Sequence, residues 1–220
     1  MTTTLDYIQT HLTDADLEHL TLLPGWHVRR EDGLCVLEAV SWFAGLAHSD
    51  QPDCTDWVIA AYARTLNDAL PDEQRDRLIP YIPKLAGTAD GCPPEKRALI
   101  AADRAVRVFA PLALRAAGLT EEAVKLESLP VIDSADSAAK AAGAADSAAK
   151  AAAGAAKAAD NANDAAANAA WAAVRTADSA SRAVSTAYAY DSAAGAARSA
   201  CEAEAYDEAF KLLDELIEAR

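Results

Sequence analysis

Between residues 133 and 200 the chain alternates alanine and polar positions in a strict seven-residue phase. Ala138, Ala145, Ala152, Ala159, Ala166, Ala173, Ala180, Ala187 and Ala194 share one heptad position. Ala141, Ala148, Ala155, Ala162, Ala169, Ala183 and Ala197 fall three residues further on. Polar residues such as Asp136, Lys150, Asp164, Asp178 and Ser185 lie opposite, so the pattern predicts a long helix with a seam of methyl groups that packs another helix at very close range. Alanine has the best intrinsic helix propensity, and this surplus absorbs Gly143, Gly154 and Gly195 at about 1 kcal/mol each. The stretch Asp160-Asn161-Ala162-Asn163-Asp164 holds poor helix formers where a hairpin turn fits. The phase nevertheless passes through Ala159, Ala162 and Ala166 without a skip, which favours one continuous helix. At 1.5 Å per residue such a helix spans roughly 130 Å, so it must fold back, pair with another chain or stand partly bare. Beyond Glu204 the alanine phase ends. A stronger apolar stripe, Tyr206, Phe210, Leu213, Leu216 and Ile217, predicts a segment that docks on the N-terminal core or on a second subunit.

Ahead of residue 133 the pattern is that of short, more strongly apolar helices. Thr13 or Asp14 caps a helix carrying Leu17, Leu20 and Leu23, closed by Pro24-Gly25. The stretch from about Asp32 to Ala47 is apolar nearly all round, which predicts a buried helix at the centre of a core. Asp53 and Asp56 resemble a capping pair that opens a helix through Trp57, Ile59, Tyr62 and Leu66, and Pro71 starts the next turn. Ile79-Pro80-Tyr81-Ile82-Pro83 is too rich in proline for a central strand. A further helix runs from about Pro94 to Ala117, kinked at Pro111 and stopped by Gly118. Thr120 opens a last short helix. No run alternates with period two for long enough to make a sheet. The expected fold is all-α: a compact N-terminal helical domain, residues 1–132, and a long alanine-rich, coiled-coil-like helix, residues 133–220, extended or folded as a hairpin.

Charge and cysteine content narrow the class of partner. The formal net charge of -14 divides into about -8 before residue 133 and about -6 after it, so both parts are acidic. That disfavours binding to nucleic-acid phosphates or to an anionic membrane surface. The start Met1-Thr2-Thr3-Thr4-Leu5-Asp6 reads as that of a cytoplasmic protein, and no stretch reads as a membrane span. Cys35, Cys54, Cys92 and Cys201 contain no CxxC pair and are expected as reduced, buried thiols.

The densest reactive group is Arg29-Arg30-Glu31-Asp32-Gly33-Leu34-Cys35-Val36-Leu37-Glu38, followed by His48-Ser49-Asp50. Cys35, Glu38 and His48 are a conceivable nucleophile, acid and base, but a cysteine within an apolar helix reads first as structural. Cys35, His48, Cys54 and Cys92 have spacings that match no zinc pattern, so no metal and no cofactor is expected. Glu31 and Asp32 beside Arg29 and Arg30 suit a helix start with a local ion pair. Arg29 and Arg30, with Trp26, Glu31 and His48, are also the candidates for holding a small anionic ligand. Trp26-His27, after Pro24-Gly25, either walls a small pocket or covers the core. The P-loop, GxGxxG, HExxH and GxSxG patterns are missing, which leans against an enzyme.

Three blocks carry a resemblance. They are Arg30-Glu31-Asp32-Gly33-Leu34-Cys35-Val36-Leu37-Glu38-Ala39, His48-Ser49-Asp50-Gln51-Pro52-Asp53-Cys54 and Ile79-Pro80-Tyr81-Ile82-Pro83-Lys84-Leu85. Together with the alanine-rich C-terminal part and its Leu212-Leu213-Asp214 ending, they look like alanine-rich helical proteins of actinobacteria and their phages. The resemblance implies an origin of that kind and brings no activity and no catalytic residue with it.

The first functional expectation is a non-catalytic binding or assembly protein. It self-associates, as a homo-oligomer, or grips a protein partner through the alanine seam, with Phe210, Leu213 and Leu216 extending that seam. The alternative is a phage counter-defence protein that sequesters a small anionic nucleotide signal near the N-terminal domain. Ice binding needs regularly spaced threonines, and Thr176 and Thr186 are offset around a helix. A hydrolase would rest on Cys35 or Glu38 with His48.

Overall fold

A computed structural model describes residues 11–158 and 203–219. All regular structure among them is helical. The described chain forms two units, residues up to Cys92 and Pro93–Ala219. The division therefore falls well before the 132/133 boundary drawn from composition. Its cause is that the alanine helix and the C-terminal helix take their packing partners from residues 94–127.

In the first unit, α1 (Asp14–Leu17) is followed by a 3-10 turn (Arg30–Asp32), then α2 (Val36–Phe43) and α3 (Trp57–Ala69). After these come α4 (Asp72–Arg75), a 3-10 segment (Asp76–Tyr81) that carries Pro80, and α5 (Ile82–Leu85). Helix α2 packs against both α3 and α5. Every residue from Val36 to Trp42 is buried, as the apolar pattern of that stretch requires. The helix is shorter than the sequence suggests: it begins at Val36 rather than near Asp32, because Gly33 takes φ +133° and breaks the backbone there. Asp56 is the N-cap of α3, its carboxylate accepting from the Val58 and Ile59 amides.

The C-terminal end of α3 is closed by a side chain from further along the chain. Arg75 is buried; its Nε donates to the Asn67 carbonyl at 2.9 Å and its Nη2 to the Leu70 carbonyl at 2.6 Å. The last carbonyls of a helix have no intrahelical donor, and a guanidinium supplies several N–H groups in a fixed fork.

In the second unit, α6 (Pro94–Arg104) runs into a π-turn (Ala105–Phe109) and then α7 (Ala110–Ala116). The kink expected at Pro111 is resolved in this way. Pro111 has no N–H for the Arg107 carbonyl and its ring crowds that carbonyl, and the turn just before it widens so that the Ala110 amide bonds to the Ala105 carbonyl. Gly118, at φ +75°, stops α7, and α8 (Thr120–Glu127) packs back on it. Then come α9 (Ala135–Ala158) and α10 (Ala203–Glu218). Helix α9 lies against α8, α6 and the π-turn, and α10 against α6 and the π-turn.

Helix α10 is held at its C-terminal end as α3 is. Arg97, fully buried on α6, donates from Nε to the Leu216 carbonyl at 3.1 Å and from Nη2 to the Ala219 carbonyl at 2.9 Å. Arg104, two turns on, clasps Glu208 at 3.0 Å and pairs through two nitrogens with Glu215. The Glu215 hydrogen bonds hold the Arg104 guanidinium above even its usual high range. The expected docking stripe is real: Phe210, Leu213 and Leu216 are buried. It docks on helix α6 of its own unit.

Arg97→Met keeps the bulk of the side chain and removes the donors to two buried carbonyls. It should lower unfolding stability by about 2–4 kcal/mol, read by urea denaturation, whereas Lys140→Ala, which breaks an exposed pair with Asp136, should change it by under about 0.5 kcal/mol.

Candidate functional site

The candidate residues near the first helix turn are organised by one carboxylate. Cys35 is the N-cap of α2 and Glu38 its third residue, and the two form a reciprocal capping box in which the thiol stands where serine or threonine is usual. The Glu38 side chain is 1% exposed. Its Oε2 accepts from the Cys35 amide at 2.8 Å and from His27 Nδ1 at 2.8 Å, and its Oε1 accepts from the His27 amide at 2.6 Å. A buried carboxylate would be costly without such partners. With them it ties the loop from Pro24 to Gly33 onto the helix start.

His48 adds a second imidazole. Its Nε2 lies 2.9 Å from the His27 carbonyl and 3.7 Å from Glu38 Oε1. A carbonyl only accepts, so Nε2 carries the proton; Glu38 Oε2, which already accepts from the Cys35 amide, faces His27 Nδ1. His48 Nδ1 is buried without a hydrogen-bond partner among the described residues. Gly33 closes the cluster at short range: a Cβ there would stand 2.5 Å from Leu23 Cδ1 and 3.0 Å from His27 Nε2. Glycine is required for the positive φ, and a larger residue would also have to displace the end of the Leu23 side chain.

This arrangement turns the neighbours of His27 outward. Trp26 is 70% exposed and Val28 69% exposed, while His27 between them is anchored. The two arginines part company. Arg30 stacks on Trp42, 5.0 Å from the ring centroid, and its Nη2 reaches the Leu46 carbonyl at 3.4 Å. Arg29 is exposed, and its contact with the exposed Glu31 is 4.0 Å long. Thus Trp26, Arg29, Arg30 and Glu31 share the connection between α1 and α2, and His48, from the connection after α2, meets it at the His27 carbonyl. A shallow cavity of about 140 Å³ lies at the start of α9, lined by Leu129, Pro130, Ser134, Ser137 and Lys140 among others.

The Cys35, Glu38 and His48 grouping comes together as a structural cluster. Burial pushes the Cys35 thiol up to about 12, so it is not a thiolate at neutral pH. Sequence reading named His27 only as wall or cover and missed its bond to Glu38. The signal for the Glu38 role was the Cys35-x-x-Glu38 spacing, which is that of a capping box. Among the described residues no group of three or more His, Cys, Asp or Glu side chains is arranged so that it could hold a metal ion.

The alanine seam is the other candidate. Ala138, Ala141, Ala145, Ala148 and Ala152 are between 0% and 4% exposed, and what α9 packs on is α8, α6 and the π-turn. These positions, expected to pack on another helix of the same or a second chain, are covered by helices of their own unit. Phe210, Leu213 and Leu216 are buried in the helix that packs on α6 and the π-turn, within the stretch expected as the N-terminal core, one of the two places the sequence allowed. Ala159, Ala166, Ala173, Ala180, Ala187 and Ala194 lie outside the described residues, as does the question of one helix or a hairpin across 159–202. No helix among the described residues is long and apolar enough to cross a membrane.

Comparison with protein-family models, curated proteins and solved structures finds no match to this chain.

Two outcomes check the cluster. Glu38→Gln replaces an acceptor-only group with an amide whose NH2 must face one of three donors, and it should cost about 2–4 kcal/mol in urea denaturation. Alkylation at pH 8 followed by mass mapping should modify the half-buried Cys54 well before Cys35. The raised Cys35 pKa favours the protonated thiol in the folded state, so its contribution to stability is complete below about pH 9 and is lost between there and about pH 12.

Proposed function

We propose that the protein is a non-catalytic helical assembly protein that self-associates. The observation that carries this reading is the use made of the alanine stripe where it is described: five successive seam positions of α9 sit at no more than 4% exposure against other helices. A methyl seam gives only about 0.8 kcal/mol per side chain, so its value lies in close approach repeated many times. The sequence repeats it in the same phase through Ala159, Ala166, Ala173, Ala180, Ala187 and Ala194, and this remainder is the part assigned to a second copy. A charge of -14 keeps such an assembly from growing without limit, since like-charged copies repel at every contact that does not bury the seam.

A second reading is supported by the exposed pair Trp26 and Val28. Aromatic side chains held on a rigid loop are typical anchors for a protein partner, and Glu38 and His27 supply the rigidity here. Sequestration of a small anionic nucleotide signal beside Arg29 belongs to this reading. So do a cytoplasmic setting and kinship with the alanine-rich proteins of actinobacteria and their phages. A nucleotide at a hundred times its dissociation constant would raise stability by about 2.7 kcal/mol.

The test of the first reading is light scattering on the full chain across a concentration series. A mass that rises from one chain to a defined multiple is expected. Ala173→Glu, on the stripe, should weaken association at least tenfold, and Ser185→Glu, on the opposite face, should leave it unchanged. A single-chain mass at every concentration overturns the reading.

A further inference from the structure

His27 is held in a way that the capping of α2 does not require. Its amide donates to Glu38 Oε1 at 2.6 Å, which by itself ties the loop to the helix start, yet the ring also turns inward and sets Nδ1 2.8 Å from Glu38 Oε2. Oε2 accepts from the Cys35 amide as well. Amides only donate, so both oxygens of Glu38 serve as acceptors, and a neutral imidazole that faces an acceptor through Nδ1 keeps its hydrogen there. The lone pair then lies on Nε2. That nitrogen bonds to no described residue and, unlike His48 Nδ1, is not sealed from solvent. Beside it are Gly33 and the end of Leu23. A Cβ at Gly33 would stand 3.0 Å from Nε2, so a side chain there would cover the nitrogen that the glycine leaves open.

We propose that His27 Nε2 is a nucleophilic site that accepts an acyl group from a neutral activated carbonyl compound: an ester, a thioester or an anhydride. A carboxylate that orients an imidazole through Nδ1 and leaves Nε2 free to react is the arrangement that makes histidine an effective base or nucleophile. Attack of the Nε2 lone pair on the carbonyl carbon forms an N–C bond. The bond from that carbon to its leaving group breaks, and the leaving group departs with the electron pair. The positive charge placed on the ring faces Glu38, and the Nδ1 proton is then released and ends on the leaving group, which leaves a neutral acyl-imidazole. Charge selects the class of electrophile. Arg29 and Arg30 are matched in the same loop by Glu31 and Asp32, so the Glu38 carboxylate is the unmatched group nearest the ring, a setting that disfavours an anionic phosphoryl donor. Every member of the site lies within residues 23–38, so it is independent of self-association.

The test treats the full chain with a sub-stoichiometric amount of diethyl pyrocarbonate, a neutral anhydride, and maps the carbethoxyl group by mass spectrometry. His27, its side chain 13% exposed, should be acylated roughly tenfold faster than the exposed His11 and His19. A His27 that only props the loop would react in the order of exposure, behind His11 and His19, and that order overturns the proposal. Glu38→Gln can turn its NH2 toward Nδ1, which moves the ring hydrogen to Nε2, and should bring His27 down to the rate of His19 or below. A folded variant that keeps the fast rate overturns the proposal as well. Should Glu38→Gln fail to fold, imidazole nitrogen NMR on the unaltered chain decides: a hydrogen on His27 Nδ1 is expected, and a hydrogen on Nε2 overturns the site. Phosphoramidate, an anionic phosphoryl donor, should leave His27 unmodified. Phosphoryl transfer to His27 at a rate that matches the pyrocarbonate overturns the acyl assignment.

Discussion

Helix ends buried inside a protein leave backbone N–H and C=O groups with no partner in the helix and none in water, and in this chain charged side chains supply the partners. Glu38 closes the N-terminal end of α2, Arg75 the C-terminal end of α3 and Arg97 the C-terminal end of α10. Each is at most 4% exposed. Each is charged in the sense that suits its end of the helix dipole, carboxylate at the N-terminus and guanidinium at the C-terminus. A buried charge is costly by itself. Here the cost is offset by two or three hydrogen bonds to groups that would otherwise be orphaned, so charge and helix end compensate one another.

The same constraint explains how function-bearing surfaces are placed. Glu38 completes its bonding with the amide and ring of His27, and this is what leaves Trp26 and Val28 facing out on a fixed loop. Arg97 completes its bonding with the last carbonyls of α10, and this brings a distant segment onto α6 and the π-turn. The π-turn in its turn exists because Pro111 has no N–H to give. One missing donor therefore shapes the surface on which both α9 and α10 lie.

Much of the helical layout was legible in the sequence because it is local. The Asp56 cap, the all-round apolar face of α2, the disturbance before Pro111 and the docking stripe around Leu213 each sit within a few residues of their cause. The unit boundary was not legible, because composition changes near residue 133 while packing changes at Pro93. A run of alanine looks unlike a leucine-rich core, yet the seam from Ala138 to Ala152 is core in the ordinary sense. The arginine caps were hidden for a different reason. Arg97 and the carbonyls it serves are separated by more than a hundred residues, and nothing in the residues beside Arg97 distinguishes it from a surface arginine. His27 and Glu38 are closer in sequence, but their pairing depends on the turn that Gly33 allows.

Amide hydrogen exchange on the intact chain tests the central claim most directly, that buried charged caps hold the helix ends and that each unit depends on them. The amides of Cys35 and His27, both bonded to Glu38, and those of the last two turns of α10 should exchange only on global unfolding, as slowly as the centre of α3. Exchange of these amides within seconds, while α3 stays protected, would contradict it.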